Sequence, residues 1–293
     1  MELSSKLKPR LVTRWRQWGI VIATLVALSG CSTKMVYNYL DWLIPWTLDD
    51  YISLDSEQDA FVDRSLAQVL SWHRKQQLPL YTKDLESLRQ QLQQPIEPAQ
   101  VLEIIDKARS HWQHLIEVMF PALVELGQSL SDEQAKELVA ILREELDEVK
   151  QENDDKTLEE RQQEWRENME EGLSDWIGEL TDEQKARIET WSQSRTSSFD
   201  LWIAYRYRWI DELELTLSHR KDAARFEKEA ERILLRLDEI REGEYLAQIE
   251  KNRAVYAQVM SDISAMMTEK QHQHLDEKLK ELIDDLSALH REE

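Results

Sequence analysis

The chain has 293 residues, with 37 Lys and Arg against 58 Asp and Glu, and its formal net charge of −21 sets up a field that repels nucleic acid and other polyanions. Only six glycines and six prolines occur, while Leu, Glu, Gln, Asp, Lys and Arg dominate, which is the composition of long helices. A hydrophobic fraction of 41% with 11 tryptophans excludes general disorder, so the expected fold class is all-α, an elongated bundle of long amphipathic helices.

In chain order, the first segment is basic, with Lys6, Lys8, Arg10, Arg14 and Arg16, and an apolar run from Gly19 to Ala27 follows. That run is too short to span a bilayer, which takes about 20 apolar residues. It closes on Leu28-Ser29-Gly30-Cys31, and Cys31 is the only cysteine. The three features together resemble the signal of bacterial lipoproteins. The resemblance implies a signal peptide over residues 1–30, cleavage before Cys31, and a covalent diacylglycerol and N-acyl lipid of the palmitate class on that thiol; no other cofactor is expected. In such lipoproteins an aspartate behind the cysteine retains the chain at the inner membrane. Ser32 stands there instead and implies the outer membrane, with the body facing the periplasm. Removing the signal takes away five basic residues and Glu2, so the remainder holds 32 basic against 57 acidic residues, a net charge of −25. With Cys31 modified no disulfide can form, and stability has to come from helix packing.

Residues 31–53 are rich in aromatics, including Tyr37, Tyr39, Trp42 and Trp46. Beside a lipid anchor such a segment can rest at the membrane interface or dock on the body; docking is the expectation. The helical body is expected over 54–293. Its first helix carries Phe61, Val62, Leu66, Val69, Leu70 and Trp72 at the 3.6 period and meets Pro79, which should kink or restart it. A break follows at Pro95 and Pro98, then a helix with a second kink expected at Pro121. Residues 151–156 read as an exposed turn, and Thr157 with Glu160 as a capping box. Thr181 is expected to open the most aromatic helix, running through Trp191, Trp202, Tyr205 and Trp209 to Leu217 at the centre of the body. Helices are then expected from Asp222, after Gly243 and from Thr268, with no Pro/Gly/Ser linker dividing them.

A short signature recurs. Leu130-Ser131-Asp132-Glu133-Gln134, Leu180-Thr181-Asp182-Glu183-Gln184 and Met267-Thr268-Glu269-Lys270-Gln271 share one pattern, and Leu54 to Gln58 is a looser fourth copy. A hydroxyl at the N-cap accepts from the amide three residues on, the glutamine there bonds back, and first-turn acids match the helix dipole. Any single copy is explained by helix capping alone. The recurrence suggests two similar halves, and it resembles the Leu-Thr-x-x-Gln motif of the Spy and CpxP family of periplasmic stress chaperones. That resemblance implies client holding or stress sensing. It carries over only the helix-start role of Ser131, Gln134, Thr181, Gln184, Thr268 and Gln271, because this chain is longer, anchored and acidic. A second resemblance, to an uncharacterised family of proteobacterial lipoproteins, rests on Tyr39-Leu40-Asp41-Trp42, Asp50-Tyr51, Gln58, Trp72-His73-Arg74, Leu78-Pro79 and Tyr81. It implies localisation and fold, and no activity.

Catalytic signatures are lacking: there is no phosphate loop, no Gly-x-Ser-x-Gly elbow, no cysteine nucleophile and no His-Glu-x-x-His pair. The expected function is therefore non-enzymatic. The chain is read as a lipid-anchored, periplasm-facing protein, held to the membrane through its lipid, that binds a protein partner the sequence does not name or supports the envelope. Nucleic acid is not expected as a partner. The alternative is divalent-metal binding or sensing. His111 and His114, with Glu117, occupy i, i+3 and i+6 of one helix, and His272 and His274 lie near Asp276. Imidazole and carboxylate suit zinc or nickel. The second pair diverges by about 200° on a helix and cannot converge without fraying or a second chain.

Overall fold

The computed structural model describes residues 31–292, so the signal-peptide expectation for 1–30 lies outside the described residues, as does the side chain of Cys31. The described residues are all-helical with no strand. Helices α1 (Cys31–Asn38) and α2 (Leu40–Leu48) lead into α3 (Ser56–Trp72), α4 (Leu78–Gln91), α5 (Pro98–Ser129) and α6 (Asp132–Asp154). The chain continues with α7 (Leu158–Ile177), α8 (Asp182–Ser194), α9 (Phe199–Ser218), α10 (Ala223–Leu235), α11 (Gly243–Ala265) and α12 (Glu269–Arg291).

The starts are chemical. Asp55, Ser131, Thr157, Thr181 and Thr268 each accept at the N-cap from the amide three residues on, and each of those residues bonds back, so all four copies of the signature and the Thr157–Glu160 pair are capping boxes. Glu97, ahead of Pro98, forms a further box with Gln100. Gly178 ends α7 at φ +79°, a conformation that costs a residue with a Cβ.

Pro79 restarts its helix as expected, through a device that periodicity does not reveal. Residues His73–Gln77 form a π-helical turn between α3 and α4, in which the Leu78 amide donates to the His73 carbonyl. Pro79 has no amide to donate, so the Arg74 carbonyl loses its helical partner. His290 of α12 fills the place, donating from Nδ1 to that carbonyl at 2.9 Å. At Pro121, by contrast, α5 runs on from Pro98 to Ser129 as one helix.

The aromatic stretch after Thr181 is two helices, not one. It breaks over residues 195–198, where Arg195-Thr196-Ser197-Ser198 ends α8 and starts α9. Three consecutive hydroxyl residues compete for backbone donors, and the Ser197 hydroxyl accepts from the Phe199 amide at 3.2 Å. The helix from Asp222, expected to run to about Arg241, ends at Leu235, before a 3₁₀ turn at Leu237–Glu239.

The core is segmented along the bundle. One cluster gathers Leu130, Val139 and Leu146 with Ile203, Ile210, Leu217 and Phe226, from α5, α6, α9 and α10. Another gathers Leu173, Ile177, Leu180 and Ile188 with Val259, Ile263, Leu275 and Leu279, from α7, α8, α11 and α12. Helix α12 lies along α4 and α11 along α5, so helices far apart in the chain pack side by side. Each fully buried leucine or isoleucine, such as Ile188 or Leu289, contributes about 1.5–3 kcal/mol.

Candidate functional site

The glutamines of the signature are brought together in pairs. Gln184 and Gln271, 87 positions apart, face each other as reciprocal carboxamides: Gln184 Nε2 donates to Gln271 Oε1 at 3.0 Å and Gln271 Nε2 to Gln184 Oε1 at 2.8 Å. Each Oε1 also accepts from its own N-cap amide, of Thr181 and of Thr268, at 3.0 Å, and Gln271 Nε2 reaches the Glu179 carbonyl at 2.9 Å. Gln58 and Gln134 repeat the arrangement at 3.1 and 2.7 Å, with Gln134 Nε2 on the Ser53 carbonyl and Gln58 Nε2 on that of Ser129. In both nodes the second carbonyl lies two residues ahead of the partner's N-cap. The leucines preceding Ser131 and Thr181 are buried in the two core clusters, so each node heads one segment of the core. Arg220, in the turn after α9, secures the Gln58–Gln134 node, donating to the Leu130 carbonyl at 2.8 Å and to Asp132. That hydrogen bond and charge hold the Asp132 carboxyl below its usual range.

A second constellation surrounds the π-turn. The Tyr37 hydroxyl of α1 lies 2.8 Å from Nδ1 of His73, and Tyr81 meets His73 edge-on at 5.4 Å between centroids. On the other side Tyr81 meets His111 at 4.7 Å, and Nε2 of His111 lies 2.8 Å from Asp84, whose second oxygen accepts from Lys107 at 3.1 Å. Burial lowers the His73 pKa to about 4, so its ring is neutral at physiological pH. Burial pushes Asp84 up, but hydrogen bonds from His111 and Lys107 outweigh it and hold the carboxyl below its usual range. The ladder walls a groove of about 710 Å³ between α4, α5 and the end of α12, floored by Leu85, Leu88 and Leu286 and overhung by Trp112, which is 63% exposed.

The metal candidates are not gathered. His111 bonds Asp84, while His114 lies 3.4 Å from Glu117 and edge-on to Trp72. His274 rests beside Gly178, and Asp276, expected near the second pair, is held by Arg89 at 2.6 and 2.7 Å. Among the described residues no group of three or more His, Cys, Asp or Glu is placed to hold an ion.

The docking expectation for residues 31–53 holds for Tyr37 and fails for the two tryptophans. Helix α2 buries no residue; Trp42 and Trp46 stack on each other at 5.8 Å and stand 62% and 54% exposed. A one-turn offset puts both rings on one face, and Pro45 sits between them inside the helix. Sequence reasoning also missed the groove, because its walls come from helices far apart in the chain.

No curated protein and no solved structure matches this chain. A family described as of unknown function, DUF6279, matches residues 50–246, well over half of the chain, ending within the first turn of α11. Asp50-Tyr51, Gln58, Trp72-His73-Arg74, Leu78-Pro79 and Tyr81 fall inside the match, and Tyr39 to Trp42 fall before it. The likeness to an uncharacterised family thus holds: the chain belongs to DUF6279, a family of unknown function.

Proposed function

We propose that this chain is a lipid-anchored lipoprotein of the outer membrane, facing the periplasm, and that its helical body works by binding a protein of the envelope and performs no catalysis. The observation that carries the reading is the unsupported aromatic face of α2. Trp42 and Trp46 project from the body 11 and 15 residues after Cys31, where a lipid on that thiol would place them at the headgroups. An indole pair needs no neighbour on the body if the bilayer is its neighbour. Helix α1 then ties this end to the body through Tyr37 on His73, Arg74 on the Asn38 carboxamide at 2.8 Å, and the Lys34–Glu292 pair.

For the partner, the Trp112 groove offers an apolar floor with Asp84, Lys107 and Glu103 at its rim. A large exposed aromatic over a concave apolar surface is the usual anatomy of a protein contact. A client-holding role of the Spy type would have to use this groove as well. The motif glutamines are unavailable to it, since Gln184 and Gln271 are buried against each other.

The test is photo-crosslinking in cells from residue 42 and, separately, from residue 112. The reading expects adducts to phospholipid from position 42 and one recurrent envelope protein from position 112. Many unrelated unfolded proteins at position 112 would replace the single-partner reading with client holding. Cytoplasmic proteins at either position would overturn the localisation.

A further inference from the structure

A cleft on the second core cluster has no role in the reading above. It lies between α4, α7, α11 and α12, with a volume of about 730 Å³, within the range of about 300–1,000 Å³ typical of small-molecule sites. Protein interiors otherwise leave few voids larger than a water. Its walls are leucines of α4 and α12 and three methionines, Met169, Met260 and Met267, from three different segments. Unbranched thioethers repack around an irregular apolar guest at little cost.

One cation lines this apolar space. Arg195 occupies the break between α8 and α9, with its guanidinium carbon 4.3 Å from the centroid of Trp165 and 5.6 Å from that of Trp191. Burial pushes its pKa down, a sign that the charge is short of water. The neighbouring arginines of α7 and α8 are paired, Arg166 with Glu189 at 2.5 Å and Arg187 with Asp262 at 2.6 Å. Arg195 has no carboxylate and no side-chain hydrogen bond among the described residues, and its guanidinium lies over two indoles at the cleft wall with its N–H groups unbonded by the protein. In a chain of net charge −21, an arginine kept from every carboxylate and set at an apolar cleft calls for an anion with an apolar body.

We propose that this cleft binds a single-chain anionic amphiphile, a long-chain carboxylate, with the acyl chain among the leucines and methionines and the carboxylate on the Arg195 guanidinium. The fork of the guanidinium matches a carboxylate edge to edge, and one cation sets the head count at one anion. Gly172 of α7 lines the same cleft, and a Cβ built there meets nothing within 4 Å. A Cβ at 172 would therefore start in open space at the cleft wall, with no protein atom to displace.

The experiment uses the full 293-residue chain carrying Cys31→Ser, made by membrane-free translation so that no covalent lipid competes. Decanoate, dodecanoate and tetradecanoate are titrated below their micelle thresholds, with dodecanol and dodecyltrimethylammonium as uncharged and cationic controls, reading tryptophan fluorescence and melting temperature. The proposal expects saturable one-to-one binding of the carboxylates, tightening up to about fourfold per methylene. Dodecyltrimethylammonium should bind at least tenfold more weakly than dodecanoate. Arg195→Ala should weaken dodecanoate at least tenfold and leave dodecanol unchanged, with Arg195→Lys recovering part of the loss. Gly172→Leu, whose added Cβ starts in open space at the cleft wall, should stay folded and lose both. No saturable binding below the micelle threshold, equal binding of the anion and the cation, or unchanged dodecanoate binding in folded Gly172→Leu would each overturn it.

Discussion

Replacing Gln184 by alanine isolates the paired-cap device, because its carboxamide is fully buried and every bond it makes is to a group with few alternatives. The side chain accepts from the Thr181 amide at 3.0 Å and from Gln271 Nε2 at 2.8 Å, and donates to Gln271 Oε1 at 3.0 Å. Gln271 keeps the Glu179 carbonyl and the Thr268 amide, so Gln184→Ala costs it one donor contact and one acceptor contact at the centre of the node. A buried polar group left unsatisfied costs about 1–3 kcal/mol, and the lost capping-box bond adds roughly 0.5–1.5 kcal/mol. The expected destabilisation is therefore about 2–4 kcal/mol. Gln134→Ala should cost less, since Gln134 is only half-buried and water can replace part of what it loses. Denaturant unfolding followed by far-UV circular dichroism measures both. In a double-mutant cycle with Gln271→Ala the losses should fail to add, with a coupling of about 1–2 kcal/mol. A loss below about 0.5 kcal/mol for Gln184→Ala, or additive losses in the cycle, would refute the account of the node.

Thr181→Ala should cost roughly 0.5–2 kcal/mol while Thr181→Ser stays nearly silent, read from the same unfolding curves. Gly127→Ala places a Cβ 2.6 Å from Cζ of Phe226, where α10 crosses α5, so the strain of about 1–3 kcal/mol should outweigh the gain in helix propensity and lower the melting temperature. His73 titrates near 4 in the fold and near 6.5 when unfolded, so between those values the unfolded chain holds more protons and stability falls as pH falls. Allowing for the part of the ring that water reaches, the slope should be worth about 1–2 kcal/mol across that window, and His73→Phe should flatten it in unfolding measured at pH 7 and pH 4.5. Micromolar zinc should leave the melting temperature in place; a rise that His111→Ala abolishes would reinstate divalent-metal binding.

What the sequence discloses here is what its local chemistry decides. The helix starts are legible because a hydroxyl or carboxylate at the N-cap, at least one acid behind it and a glutamine three residues on are a complete cap by themselves. That the caps pair off is not, since Gln58 meets Gln134 and Gln184 meets Gln271 across separations of 76 and 87 residues, and no periodicity encodes which cap finds which. Pro79 announced a restart, but the π-turn and its repair by His290 depend on α12 returning to lie along α4. The break at Arg195 is masked by the aromatic run on both sides, although Thr196-Ser197-Ser198 is the signal that marks it. Docking is the expectation for the segment that holds Trp42 and Trp46, with the membrane interface as its alternative; which of the two an indole meets is decided by what lies opposite, which spacing does not carry. The cleft around Arg195 was illegible for the same reason, its walls coming from α4, α7, α8, α11 and α12.

The anchor is the claim on which localisation and the orientation of the body both depend, and intact-protein mass spectrometry of the chain isolated from bacterial envelopes tests it most directly. The account predicts a polypeptide beginning at Cys31 whose mass exceeds that of residues 31–293 by one diacylglycerol and one further acyl group, with the whole increment lost and the precursor retained in Cys31→Ser. A polypeptide that keeps residues 1–30, or one that begins at Cys31 with an unmodified thiol, would contradict it.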